Sequence, residues 1–390
     1  MRQLPFAYAF RNLGRSHVRL AALLFGSVVV VLLVVASVGF VRGMQKALTS
    51  ATSLHTNVIL LGAGSEESLE RSQIDANIDG IVAASIAGLR SEGGVTFVSP
   101  EIHMALPVRL SADDPVERQA VLRGVQPVAF LVHPEVEIVE GREPRPGEEE
   151  LLVGSLAATR LGVSPERLRV GERLYFDHRE WTIVGRFAAP QTVMDAEIWL
   201  PLTDLQIASR RERSLSCVVI SLDGARFSDV DLFAKSRLDL ELSAMLERDY
   251  YASIAQFYRP VRIMVLVTAV LIGAGGVLGG LNTMYASFAS RVREVGMLQT
   301  LGFRPGAIVL NLTEESLFAG AAGAVLGVFL GLVLLDGLAV RFSMGAFTLS
   351  VDAPTLLLGL LAGLGVGLLG AVPPAVRCLR LPITHALKAF

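Results

Sequence analysis

The stretch LAALLFGSVVVVLLVVASVGFV, Leu20–Val41, contains no charged side chain over 22 positions. An α-helix rises 1.5 Å per residue, so about 20 apolar residues cross the ~30 Å hydrocarbon core of a bilayer. Three more uncharged stretches follow only much later, at Ile263–Ser290, Ser316–Leu335 and Ala353–Val376. This spacing predicts an α-helical membrane protein with one span (20–41), a large water-exposed insertion, and then three spans (263–290, 316–335 and 353–376).

The insertion, residues 42–262, has the composition of a soluble domain. It holds 24 Lys/Arg and 32 Asp/Glu, whereas the whole chain is 52% apolar with a mean hydropathy of +0.52. Short strand-like and helix-like segments alternate along it, which predicts a mixed α/β domain. Leu238, Leu242 and Leu246 recur every four residues, and the pattern over Asp229–Leu246 predicts one long helix.

Charge is distributed unevenly between the ends and the middle of the chain. Residues 1–19 carry four arginines and no acid, the tail 377–390 carries three basic residues and no acid, and the insertion is strongly acidic. Basic segments beside membrane spans favour the cytoplasmic side. The sequence therefore predicts a multi-pass protein of the inner (cytoplasmic) membrane. The domain 42–262 and the short loop 336–352 would lie outside, and the loop 291–315 would lie in the cytoplasm.

The first apolar stretch is longer than the 7–15 residues of a signal-peptide core, so we expect it to remain as a span. Before it, Phe6, Phe10 and Leu13 recur at spacings of four and three within 1–19. This pattern fits a short amphipathic helix at the inner membrane surface, and a disordered basic tail fits it equally.

No catalytic or metal-binding residue is predicted. Cys217 and Cys378 fall on opposite sides of the membrane, the six histidines show no ligand spacing, and no phosphate-binding loop occurs in the sequence. No cofactor is therefore expected in this chain, and any ATP would be bound by another polypeptide. The spans contain no acid, base or histidine, which argues against a proton- or sodium-coupled transporter.

Glycines recur four residues apart in the last three spans, a spacing that lets helices approach closely in lipid. We expect helix packing at the following positions: Gly275, Gly279, Gly327, Gly331, Gly359 and Gly363.

The cytoplasmic loop begins RVREVGMLQTLGFRP, residues 291–305. Val295, Leu298 and Leu301 lie along one face of a short predicted helix, Gly302 fits its end, and Pro305 fits the first turn of the next helix. Such a helix fits the groove of a partner protein, and a helix lying only at the membrane interface fits equally. Two acids at 314–315 are expected to pair with arginines of the same loop.

Taken in order, these segments resemble the FtsX-like/MacB-like permease family of ABC transporters. Arg293-Glu294-Val295-Gly296, followed by Leu298 and Leu301-Gly302, is similar to the family's R-E-[IV]-G-x-[LM]-[RK]-A-[LIM]-G segment. Gln299 and Thr300 replace the usual basic residue and alanine. The glycine pattern of 42–262 also resembles the periplasmic core domain of that family.

The resemblance implies a permease that works as a homodimer or with a related permease. A separate ABC-type ATPase would bind ATP and magnesium. It would dock on a coupling helix made of Arg293, Glu294, Val295, Gly296, Leu298, Leu301 and Gly302. ATP-driven motion would then reach the outer domain for export or release of a substrate, with a periplasmic adaptor as a candidate further partner and no nucleic acid. Two alternatives stay open: an FtsX-type regulator of a cell-wall hydrolase, and a membrane-anchored sensor without an ATPase.

Overall fold

The computed structural model describes residues 17–49, 56–289, 291–342 and 345–379. The predicted N-terminal amphipathic helix and most of the basic tail lie outside these residues. The chain divides into two compact units. We call Met1–Arg42, Pro260–Leu338 and Leu349–Phe390 the membrane unit, and Gly43–Arg259 with Ala339–Thr348 the outer unit. Helices are numbered α1–α11 and strands β1–β16 along the described chain.

Among the described residues, four helices are long and apolar enough to cross a membrane. They are α1 (His17–Thr49), α8 (Arg259–Ala289), α10 (Pro305–Leu335) and α11 (Ala353–Leu379). A short helix, α9 (Val292–Thr300), lies between α8 and α10. The described residues of each predicted span lie within one of the four long helices, with the mixed-sheet domain between the first and the second.

The outer unit is built on a ten-stranded mixed sheet with the order β14-β1-β13-β5-β6-β11-β8-β10-β7, and β9 pairs with β10. Its strands are β1 (Asn57–Gly62), β5 (Val98–Val108), β6 (Arg118–Val125), β7 (Glu137–Gly141), β8 (Glu150–Gly154), β9 (Arg173–Phe176), β10 (Arg179–Ala188), β11 (Ile198–Pro201), β13 (Cys217–Ser221) and β14 (Leu242–Leu246). Three small pairings are β2 (Ile74–Asp75) with β12 (Ser214–Leu215), β3 (Ser91–Glu92) with β4 (Val95–Thr96), and β15 (Ala339–Phe342) with β16 (Gly345–Thr348). The helices are α2 (Ile78–Ser85), α3 (Ala129–Val132), α4 (Ala157–Leu161), α5 (Leu202–Ala208), α6 (Phe227–Ser236) and α7 (Glu247–Phe257).

Both faces of the large sheet are buried, and β1 shows this most simply. Val58 and Leu60 belong to one apolar cluster, whereas Ile59 and Leu61 belong to a second cluster that contains Trp199. Successive side chains of a strand point to opposite faces, so a strand covered on both sides is apolar at every position. The second cluster is the one that also holds charged groups, described below.

The prediction of one helix over Asp229–Leu246 is wrong. The helix α6 ends at Ser236, Glu241 adopts a left-handed backbone with φ 48°, and Leu242–Leu246 forms β14. This strand pairs antiparallel with β1 at the sheet edge. A leucine every four residues fits a helix in isolation, but pairing with an apolar strand decides the structure here.

The loop 336–352 contains a β-hairpin that belongs to the outer unit. The backbone carbonyl of Phe342 accepts a hydrogen bond of 2.9 Å from Arg160 Nη1 on α4. The Phe342 ring meets Tyr258 edge-to-face at 5.5 Å and Phe347 at 5.4 Å. The connection between α10 and α11 is thus packed against the outer unit by aromatic contacts that the sequence pattern did not predict.

An ion pair joins α1 to the start of α11 inside the membrane unit. Arg42 Nη2 lies 2.6 Å from Asp352 Oδ2, and Thr355 Oγ1 donates to Asp352 Oδ1 at 2.9 Å. Burial opposes ionisation of Asp352, but these hydrogen bonds outweigh it and lower its pKa to about 2. The carboxylate therefore stays charged over the whole physiological range.

Asp352→Asn should lower the unfolding free energy of the membrane unit by about 0.5–1 kcal/mol, because the pair is partly exposed to solvent. A depressed pKa stabilises the fold above the unfolded pKa of about 3.9, and this contribution is lost as the pH falls through the folded pKa. The difference between wild type and variant should therefore be full at neutral pH and shrink below about pH 4. Titration with SDS, followed by circular dichroism at both pH values, measures it. An equal difference at both would contradict the assignment.

Candidate functional site

The short helix α9 ends where its sequence predicts. Gly302 has φ 84°, a left-handed conformation that glycine adopts without strain, and its N–H bonds to the carbonyl of Gln299. Pro305 then occupies the first turn of α10. The turn between α9 and α10 is therefore fixed by two residues whose backbone preferences match it.

The fold divides the predicted docking residues between two sides of α9. Val295 and Gly296 are buried, and Val295 packs with Phe288, Ile308 and other residues of α8, α10 and α11. Leu298 is partly buried against the same cluster. On the other side Arg293 is exposed, with Met297 49% and Leu301 66% exposed. Positions 293, 297 and 301 are four residues apart and share one face, which we call the exposed face of α9.

A buried ion pair holds α9 in place. Arg291 Nη1 lies 3.0 Å from Glu315 Oε2 on α10, and Arg291 Nε lies 3.1 Å from Glu294. The Glu315 side chain is 1% exposed. The expected pairing of the loop arginines with the acids at 314–315 is thus realised by Arg291 and Glu315. Together with Val295, this pair attaches α9 to the helices beside it.

Four of the six predicted packing glycines lie where helices touch closely. A Cβ at Gly327 would come within 2.9 Å of Val31, and one at Gly331 or Gly359 within 2.8 or 2.7 Å of Val35. A Cβ at Gly363 would come within 2.5 Å of Ala324. These glycines let α10 and α11 approach α1 and each other. At these four positions, the packing of the membrane unit therefore leaves no room for a side chain larger than that of glycine.

The remaining pair, Gly275 and Gly279, has no described atom of this chain within 4 Å of a Cβ. On α8 the positions one residue further on face the neighbours instead: a Cβ at Gly276 would meet Val30 at 2.5 Å, and one at Gly280 would meet the carbonyl of Val366 at 3.5 Å. One residue rotates the helix by about 100°. Within the described chain the packing pair of α8 is thus Gly276 and Gly280, and the role of Gly275 and Gly279 stays a prediction.

A cluster of charged side chains is buried in the outer unit; it consists of Glu101, His103, Arg123, His133 and Glu197. Arg123 donates to both carboxylate oxygens of Glu197, at 2.7 and 3.0 Å, and to Glu101 at 3.0 Å. Its guanidinium carbon lies 5.3 Å from the centre of the Trp199 ring. Strand register explains the meeting, because Arg123 on β6 is opposite His103 on β5 and Trp199 on β11. We call these five residues the charge cluster.

Mutual compensation sets the charges of this cluster. Burial opposes ionisation of Glu101, yet His133 and Arg123 outweigh it and hold the pKa of the Glu101 carboxyl well below its usual value. Burial likewise disfavours the charged form of Glu197, and Arg123 still lowers its pKa. Burial and the charge of Arg123 lower the pKa of His103, which favours the neutral ring. Two carboxylates therefore surround one arginine, and His133 is left to balance the remaining negative charge.

Glu101, His103 and Cys217 lie close enough together to suggest a metal site. The hydrogen bonds argue against one. Oxygen Oε1 of Glu101 is 2.9 Å from both Ser99 Oγ and His133 Nε2, and Oε2 is 3.1 Å from His103 Nε2 and 3.0 Å from Arg123 Nη1. All four acceptor positions of the carboxylate are used. Burial also raises the pKa of the Cys217 thiol well above its usual value, whereas a metal binds the thiolate. These residues do not fit a metal.

The sequence did contain a signal for this cluster. Glu101 and His103 alternate with apolar residues in β5, and Arg123 stands inside the apolar run of β6. Isolated charges in such strands are usually exposed, so they predict an outer face. Only the covering of both faces of the sheet shows that these side chains are buried.

The fold defines the class of protein: a membrane protein with four candidate spans and a mixed-sheet extracytoplasmic domain between the first and the second. Residues 20–231 match the MacB-like periplasmic core domain, and residues 266–383 match the FtsX-like permease C-terminal family. The first match alone covers more than half of the chain. The chain therefore belongs to the FtsX/MacB-like family of ABC transporter permeases.

Curated relatives carry the name macrolide export ATP-binding/permease protein MacB. The one from Vibrio parahaemolyticus is 24% identical over 88% of this chain and 53% of its own length. The one from a Shewanella species is 22% identical over 98% of this chain and 60% of its own length. The chain thus spans between half and two thirds of these relatives. Among solved structures, the periplasmic region of MacB from Actinobacillus actinomycetemcomitans matches 51% of this chain and 92% of that one. The identity is 12% and the TM-score 0.37.

Proposed function

We propose that this chain is the permease subunit of an ABC transporter complex in the inner membrane, which exports or releases a substrate. It works as a dimer, and a separate ATPase docks on the exposed face of α9. Membership of the permease family supports the proposal, and the observation that carries it is that Met297 and Leu301 are exposed on a helix whose other side is held by buried contacts. Arg291, Glu315 and Val295 fix α9, so a push on Met297 or Leu301 is passed to α8, α10 and α11.

The route outward runs through the helices that enter and leave the outer unit. The chain enters through α1, and it leaves through α7 and α8. Both connections are helical where described, and a helix transmits displacement better than a flexible linker. The spans have no charged group over their apolar stretches, so they offer little to a polar substrate. ATP-driven motion, rather than passage of substrate between the spans, is therefore the mechanism we propose.

The relatives reported above are named as macrolide exporters, which favours export over activation of a cell-wall hydrolase. A macrolide or similar compound is accordingly the first substrate to test. A periplasmic adaptor is a candidate further partner. The second protomer is proposed to contact α8, the least buried of the four spans, on the side that carries Gly275 and Gly279.

The test is a charge placed on the exposed face of α9. Leu301→Asp should reduce the ATPase activity that co-purifies with the tagged full chain from its native membranes by about tenfold or more, the loss expected at an interface hot spot. Leu238→Asp is a matched control, because Leu238 is 81% exposed in the outer unit. We expect this control to retain wild-type activity. Undiminished activity in Leu301→Asp would refute docking at this face.

A further inference from the structure

His133 is a completely buried histidine with one nitrogen bonded and one not. Its Nε2 lies 2.9 Å from Glu101 Oε1. Its Nδ1 makes no hydrogen bond, and two carboxylate oxygens stand just beyond bonding distance: Glu247 Oε1 at 3.8 Å and Glu135 Oε1 at 3.9 Å. The oxygen of Glu135 is itself buried without a hydrogen bond. His133 Nδ1 therefore lies close to two carboxylate acceptors, Glu135 and Glu247, without forming a hydrogen bond to either.

The location of this arrangement gives it significance. Glu247 is the first residue of α7, the helix that precedes the candidate span α8. Glu247 Oε2 accepts a hydrogen bond of 2.9 Å from Asn57, the first residue of β1. Asn57 also donates to the carbonyl of Val132 on α3 at 3.1 Å. The segments by which the chain enters and leaves the sheet thus meet beside His133.

Charged groups approach His133 from every side. Glu101 faces it from β5, Glu247 from α7 and Glu135 from the following turn, and Arg123 acts on it from β6. The uncharged Trp199 ring on β11 meets it edge-on at 6.2 Å. Burial disfavours the imidazolium, but the carboxylates outweigh burial and Arg123, so the pKa of His133 is raised above its ordinary value. Burial also raises the pKa of Glu247.

Water can reach this part of the core. A cavity of about 60 Å³ is lined by His103, Arg123 and Glu197, and by Tyr250 and Tyr251 of α7. A buried water needs about 10–15 Å³ of such volume, so the cavity has room for several. His103 contacts Glu101, which contacts His133. Protons therefore have a hydrated approach to within two side-chain contacts of the ring.

We propose that His133 is a proton switch that controls how firmly α7 is attached to the sheet of the outer unit. When the ring takes up a proton from solvent, Nδ1–H becomes a donor between two carboxylates. A side-chain shift of about 1 Å completes a charge-assisted hydrogen bond to Glu247 or Glu135. When the proton leaves, a lone pair faces both carboxylates, and Glu247 keeps only its hydrogen bond from Asn57. The switch acts on the outer unit whether or not α9 docks an ATPase.

The sign of the pH effect follows from the raised pKa. A group with a raised folded pKa stabilises the fold fully below its unfolded pKa, which is about 6.5 for histidine, and this stabilisation is lost as pH rises through the folded pKa. The pKa of Glu247 is also raised, so ionisation of this carboxyl as the pH rises destabilises the fold further. The attachment of α7 should therefore be firmer in mildly acidic than in mildly alkaline solution.

Hydrogen–deuterium exchange of the full chain in nanodiscs measures this attachment directly. After correction for intrinsic rates, α7 amides of the wild type should exchange about fivefold faster at about pH 8.5 than at about pH 6, a change of about 1 kcal/mol. His133→Gln cannot be protonated and should exchange fast at both pH values. His178→Asn is the matched control, since His178 is exposed and has φ 59°, which asparagine tolerates. It should keep the wild-type pH dependence.

Glu247→Gln supplies a second variant if His133→Gln does not fold, because its amide oxygen can still accept from Asn57. It should lose most of the pH dependence. A wild type without pH dependence, or variants that keep it, would overturn the proposal. Slower exchange after addition of zinc, reversed by EDTA, would also overturn the proposal, because His133, Glu135 and Glu247 would then form a cation site.

Discussion

Replacing Arg123 with methionine should cost the outer unit about 3–5 kcal/mol of unfolding free energy, the usual loss when one partner of a buried ion pair is removed. Arg123 is 2% exposed and provides the positive charge for both Glu101 and Glu197. Without it, two carboxylates remain in the core with only His133 to compensate. Tryptophan fluorescence during denaturant unfolding reports this unit alone, because Trp181 and Trp199, the two tryptophans of the chain, are both buried in it.

Two controls separate this loss from a general effect of removing an arginine. Arg237→Met removes a surface partner of Asp239, where both side chains are at least 40% exposed, and should cost less than about 1 kcal/mol. The triple change of Glu101→Gln, Arg123→Met and Glu197→Gln removes the charges together and should recover most of the lost stability. A cost below about 1 kcal/mol for Arg123→Met would mean that water enters the cluster freely.

Much of the fold follows from local pattern, as the membrane unit shows. A run such as 20–41 has a single stable solution in lipid, so its structure is determined by its own composition. Asp229–Leu246 lacks that constraint. Its leucines fit either a helix or an edge strand, and β1 decides the matter from about 180 residues away. The hairpin 339–348 could likewise not be predicted, because its hydrogen bond from Arg160 and its aromatic contact with Tyr258 join residues far apart in the sequence.

The candidate sites show the same difference between features set by local sequence and features set by distant contacts. The end of α9 and the start of α10 could be predicted from Gly302 and Pro305, whose backbone preferences are local. Which side of α9 is exposed could not, because Val295 is covered by residues of three other helices. The charge cluster was missed because strand register brings β5 and β6 together, whereas His133 after α3 and Glu197 before β11 reach them only through the tertiary fold. The sequence around a charged residue in a strand does not show whether its side chain is exposed to solvent or buried beside an opposite charge.

The glycines of the membrane unit allow a test in which the same substitution should have very different effects at two positions two residues apart. A Cβ at Gly363 would lie 2.5 Å from Ala324 Cβ and 2.8 Å from Val31, and the Cα of Ala324 is 3.1 Å away. A backbone atom cannot move aside as a flexible side chain can. A Cβ at Gly365, on the same helix α11, would have no described atom within 4 Å apart from its chain neighbours and the helix's own backbone. The two positions share a helix and a residue type, and they differ in what they face.

Gly363→Leu should therefore destabilise the membrane unit by about 3 kcal/mol or more, because four added carbon atoms must separate α11 from α10 and α1. Gly365→Leu should be neutral or stabilising by up to about 1 kcal/mol, because leucine forms helices better than glycine and its side chain enters open space. Circular dichroism during SDS titration of the full chain compares the two. Equal losses would show that leucine harms α11 through something other than close packing, and a neutral Gly363→Leu would mean that these helices are not in contact at this glycine.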